Sequence, residues 1–131
     1  MNEVPYGIAA RPMPDGTSID RLMPVRVGGF ARDQVKPPAP GMSIYGNYKR
    51  GAATIFMELA IGDNIRDAEA TLETAAGETG DTIVQCGPIG YFRSVNADGA
   101  FMAWTRGRYF FSAHAKGGEK DLDEFMQAFP F

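Results

Sequence analysis

The sequence predicts an α+β domain: an antiparallel sheet of about six strands flanked by helices, in the rough order β-β-β-α-β-β-β-α. Three observations carry that prediction. The run ATIFMELAI alternates with a period of two, which places Ala53, Ile55, Met57, Leu59 and Ile61 on one face and Thr54, Phe56 and Glu58 on the other. Near the end of the chain, Leu122, Phe125, Met126 and Phe129 recur at i, i+3, i+4 and i+7, the apolar stripe of an amphipathic helix. Between the strand-like runs stand short Gly-bearing turns, KRG, GPIG, NADG and RG, of the kind that join antiparallel neighbours.

Taken in order, residues 1–23 read as an extended N-terminal arm with a short helical turn at IDRLM, capped by Ser18 and ended by Pro24. Residues 24–131 then form a single α+β domain. The run GFARDQV is a first strand, and three prolines keep the following KPPAPG out of any ladder. SIYGNY and ATIFMELAI flank KRG as a hairpin, with Gly51 supplying a positive φ. The segment DNIRDAEATLETAAGE reads as a helix: Asp63 or Asn64 caps it, Ile65, Ala68, Leu72 and Ala75 face inward, and Gly77 stands at C′. TIVQC and YFRSV are strands around GPIG, and NADG turns the chain into FMAWT. FMAWT and RYFFSAH form a hairpin across Arg106-Gly107, with Trp104 opposite Tyr109. EKDLDEFMQAF closes the chain as a helix.

With 131 residues, 44% of them hydrophobic, the chain can bury roughly two-thirds of its unfolded surface and needs no staple. A single Cys excludes an internal disulfide and leaves the redox compartment open. The net charge of −3 argues against nucleic acid as a partner. No apolar run approaches the roughly 20 residues of a membrane span. The N-terminus shows no basic stretch leading into an apolar one, so no signal peptide is read. Since a leading Met also fits a chain whose signal was trimmed, localisation stays open between a soluble domain and an exported or membrane-tethered parent.

Together with the GGF opening, the basic RG turn and the closing helix, this order of elements resembles the PsbP-like (Mog-type) fold over residues 24–130. The resemblance implies an antiparallel sheet between helices. Such domains occur in photosystem extrinsic subunits, a Ran-binding protein and many small bacterial lipoproteins, and are usually non-catalytic binding or assembly factors. The same role is implied here, with no functional residue carried over.

The residues themselves supply little catalytic chemistry. Cys86 and His114 are the one thiol–imidazole combination, and they lack an evident orienting partner. One Cys and one His do not make a zinc site, which takes about four ligands, so no metal or cofactor is expected. The acids Asp63, Asp67, Glu69 and Glu73, and Asp121, Asp123 and Glu124, read as solvated helix faces and dipole-favourable first turns.

Two surfaces stand out as candidates for binding. Phe56, Phe101 and Phe110 share the second sheet face with His114 and Arg108; either a helix covers them or they form an apolar patch for a partner. The hairpin tips carry Lys49 and Arg50, and Arg106 and Arg108. If both project from one end of the sheet they form a basic rim for an anionic ligand, and otherwise they serve solubility. The leading expectation is a non-catalytic module that binds a protein partner or envelope component, or associates with itself through a sheet edge or the Phe patch. The alternative is a small-molecule pocket between sheet and helix, lined by Tyr45, Phe92, Arg93, Trp104 and His114.

Overall fold

The computed structural model describes residues 4–14, 16–33, 35 and 43–131. The proline loop expected at 36–41 lies outside the described residues. The architecture is α+β, as expected, with one antiparallel sheet of eight strands rather than about six. The strands are β1 (Arg26–Val27), β2 (Phe30–Arg32), β3 (Ile44–Arg50), β4 (Ala53–Ile61), β5 (Val84–Cys86), β6 (Ile89–Asn96), β7 (Gly99–Arg106) and β8 (Tyr109–Ala115). Their spatial order is β1-β2-β3-β4-β8-β7-β6-β5. A first hairpin group thus runs inward from one edge, a second runs inward from the other, and β4 meets β8 in the middle. Seven of the eight correspond to the strand-like runs named in the sequence, one more than the count of about six; the strand with no counterpart is β1, two residues with a Gly28-Gly29 turn behind them, too short to show a period.

Three α-helices accompany the sheet: α1 (Ile19–Leu22), α2 (Ile65–Thr79) and α3 (Glu119–Ala128). Asn64 caps α2, its side chain accepting from the Asp67 N–H at 3.1 Å. The helix passes through Gly77 and ends instead at Gly80, whose φ of 76° gives the left-handed C-cap. Its inward residues are Ala68, Leu72 and Ala76, while Ile65 is exposed. The β7–β8 hairpin also differs in detail: Arg106 pairs with Tyr109 and Trp104 with Phe111, across a Gly107-Arg108 turn. Gly107, at φ 59°, begins that turn where a two-residue connection demands a positive φ. Because the pairing differs from the expected one by an even step, the residues paired in the ladder keep their expected faces, whereas Arg108, expected on the face of Phe110 and His114, lies in the turn instead.

The sheet has two unequal sides. On one, α3 and the N-terminal arm bury a large core in which Trp104, Phe111, Phe125, Phe129, Tyr48 and Met102 meet. Trp104 stacks on Phe111 at 5.4 Å and 18°, and Phe129 meets it edge-on at 5.8 Å. On the other side α2 lies over β6, β7 and β8 and closes a smaller cluster of Ala68, Leu72, Ala76, Phe92, Ala103 and Phe110.

The N-terminal arm is part of the larger core. Pro5–Ala10 is a 3-10 turn, not an extended segment, and Ile8, Leu22 and Met23 are fully buried. Two guanidinium groups fasten it. Arg11 donates to the carbonyls of Met126 (3.0 Å), Gln127 (3.3 Å) and Phe129, satisfying groups that the last turn of α3 leaves open, and to that of Tyr6 (2.5 Å). Arg106 donates to the carbonyls of Ile8 (2.9 Å), Arg11 (2.6 Å) and Phe131 (2.6 Å). Burial pulls both guanidinium pKa values below the usual arginine range. Beside them, Tyr6 takes the uncommon φ of 64° and donates its hydroxyl to Asp123, while Arg93 bridges Tyr6 (3.1 Å), Asp123 (3.0 Å) and Glu119 (2.8 Å). Burial and the Asp123 carboxylate push the Tyr6 hydroxyl up to about 12, so it remains a donor.

Replacing Arg106 by Ala strands three carbonyls and frees the arm at one end. The expected loss is about 2–4 kcal/mol in urea unfolding, with faster proteolysis within residues 4–14. A loss below about 0.5 kcal/mol would show that the clamp is incidental.

Candidate binding face and end cleft

The basic rim expected at the hairpin tips does not form. In the antiparallel ladder Ile55 of β4 pairs with Ala115, at the end of β8, and Ile61 pairs with Tyr109, at its start. The Gly51 tip therefore sits at one end of the sheet and the Gly107 tip at the other, separated by the length of β4, roughly 30 Å at about 3.3 Å per residue. The four cations also divide by task. Arg50 points to the α3 side, pairs with Glu124 and lies 4.4 Å over the Phe30 ring; that pairing holds the Glu124 carboxyl below its usual range. Arg106 is spent on the carbonyl clamp described above. Lys49 is exposed on the α2 side, and Arg108 faces a cleft at the lower end of the sheet.

The three phenylalanines meet both of the fates foreseen for them. Phe110, 2% exposed, lies in the cluster closed by α2. Phe101 is half-buried at the margin of that cluster, 5.6 Å from Phe92. Phe56, 37% exposed, lies beyond it. Register lines up Phe56, His114 and Phe101 directly across β4, β8 and β7, and each neighbouring pair of ring centroids is 6.2 Å apart. The ammonium of Lys116 hangs 5.4 Å over the Phe56 ring. In the adjoining row Tyr45, 66% exposed, pairs with Glu58. His114 Nε2 lies 3.1 Å from the Asp98 carbonyl, a fixed orientation on an otherwise open row. Among the described residues no helix lies over β3 and β4 on this side, so an aromatic strip edged by Lys49, Lys116 and Glu58 remains at the surface.

The residues expected to line a sheet–helix pocket do not come together. Tyr45, Phe92 and His114 belong to the α2 side, and Arg93 and Trp104 to the α3 side. Trp104 is fully buried, and among the described residues its indole N–H meets no acceptor. Cys86 and His114 are likewise on opposite faces and at opposite ends of the sheet, so no thiol–imidazole pair exists. Among the described residues no three His, Cys, Asp or Glu side chains gather as a metal site requires, and no helix is long and apolar enough to cross a membrane.

Sequence reasoning missed the Arg11 and Arg106 clamps and the approach of Lys116 to Phe56. A signal for Arg106 was present: it shares the parity of Trp104 and Met102, so a cation stood on the apolar face and required buried acceptors. Arg11 offered no such signal, because its partners at the end of α3 lie 115 and more residues away. In comparisons with known proteins, no family model, no curated protein and no solved structure matches this chain.

The division of the Phe row predicts unequal substitutions. Phe110→Ala should cost about 3–5 kcal/mol in denaturant unfolding, whereas Phe56→Ala should cost less than about 1.5. Equal costs would mean that Phe56 is as well covered as Phe110.

Proposed function

We propose that this domain is a non-catalytic interaction module of the PsbP-like kind, which binds a protein partner on the open half of its sheet. The observation that carries the reading is the strip itself. Tyr45 and Phe56 stand exposed beside half-buried Phe101 and His114 on a strand surface, with cationic Lys49 and Lys116 and the single acid Glu58 at its margin. Aromatic side chains in such a setting supply large contact area at small entropic cost, and charged neighbours steer a partner of opposite sign. The partner envisaged therefore carries an apolar patch with acidic residues around it. Self-association uses the same surface, and concentration-dependent mass distinguishes it. The order of elements that resembles PsbP-like assembly factors supports the same role.

The test is photo-crosslinking in the source cell from a benzoyl-phenylalanine placed at Tyr45, with the exposed outer face of α2 at Arg66 as control. A discrete heteromeric product is expected from position 45 and not from 66. The purified product partner should then bind Phe56→Ala at least about tenfold more weakly than the wild type. Identical products from both positions, or undiminished binding by Phe56→Ala, would sink the proposal. A product of twice the chain mass would assign the face to a second copy.

A further inference from the structure

At the end of the sheet opposite Lys49, the N-terminal arm and the turns at Gly87-Pro88 and Gly107-Arg108 enclose a cleft of about 730 Å³. That is within the range of small-molecule sites, about 300–1,000 Å³. Met13, Pro14 and Ile89 give it apolar walls, and half-buried Cys86 lines it as well. Three polar groups reach it, and two of them are already engaged. Arg106 holds three carbonyls, and the Tyr109 hydroxyl donates to the Gly16 carbonyl at 2.7 Å. The third, Arg108, makes one long contact, 3.5 Å to the Tyr109 hydroxyl, and leans on that ring at 5.2 Å. Among the described residues it has no carboxylate partner. A guanidinium carries five donors in a planar fork, so most of its capacity here faces the cleft.

We infer that this cleft is a binding site for a small amphiphilic carboxylate, its anionic head held by the Arg108 fork and its apolar body lying against Met13, Pro14 and Ile89. The walls account for the apolar body, and the Arg108 fork, which has no carboxylate partner among the described residues, for the carboxylate, which accepts two parallel N–H bonds. The site is independent of the sheet face proposed above: it lies at the other end of the molecule and needs no protein partner.

Decanoate and decanol, which share a ten-carbon body and differ in the head, test the assignment by two-dimensional ¹H–¹⁵N NMR of the whole chain. Decanoate should shift the amides of Cys86, Ile89, Gly107 and Arg108, and should reach half-saturation at a concentration at least about tenfold below that of decanol. Arg108→Gln should weaken decanoate by a similar factor and leave decanol unchanged. Three results would overturn the inference: no shift at these amides up to about 1 mM decanoate, the weak end of ordinary ligand binding; equal half-saturation for acid and alcohol; or shifts centred on Phe56 and His114. If Arg108→Gln does not fold, the comparison of acid with alcohol on the wild-type chain decides alone.

Discussion

Width is the constraint on which this molecule depends. Eight strands at about 4.8 Å spacing make a sheet more than 30 Å across, while one helix with its side chains covers about 10–12 Å. On one side the chain meets that demand with two devices, α3 and an N-terminal arm, and the large core of Trp104, Phe111, Phe125 and Phe129 results. On the other side, among the described residues, it supplies α2 alone, set over β6, β7 and β8. The remainder of that face, built by β3 and β4, is therefore left with Tyr45 and Phe56 exposed. Exposed aromatic strip and covered core follow from the same geometric shortfall.

The arm shows how the better-covered side is held shut. Its apolar anchors, Ile8, Leu22 and Met23, are few, and burying each stabilises by about 1.5–3 kcal/mol before ordering costs. Arg11 and Arg106 complete the attachment by joining backbone carbonyls of the arm and of the last turn of α3 through charge-assisted bonds. The cleft beside Arg108 is a consequence. Met13, Pro14 and Gly16, just beyond the clamped Arg11, line the space at the end of the sheet without filling it.

Much of the fold was legible because two periods are hard to mistake. The alternation through β4 and the stripe of α3 place Ile55, Met57, Leu59, Leu122, Phe125 and Phe129 in the core without reference to any distant contact. Less legible were boundaries that depend on neighbours. Gly77 resembles a helix stop, yet α2 runs on to Gly80 because Ala76 is buried against the sheet. β1 is defined only by its partner β2. The candidate sites were legible residue by residue and not in their grouping. Phe56, Phe101 and His114 do form a row, while the basic tips part, because strand direction decides which end each tip occupies. The spending of Arg50 on Glu124 and of Arg106 on carbonyls belongs to tertiary packing alone.

Hydroxyl-radical footprinting of the dilute monomer, read by mass spectrometry at individual aromatics, tests most directly whether half of this face is open. The account predicts ready oxidation of Tyr45 and Phe56 and strong protection of Phe92 and Phe110 under the same dose. Protection of Tyr45 and Phe56 to the level of Phe110 would contradict it, since some other part of the chain would then cover β3 and β4.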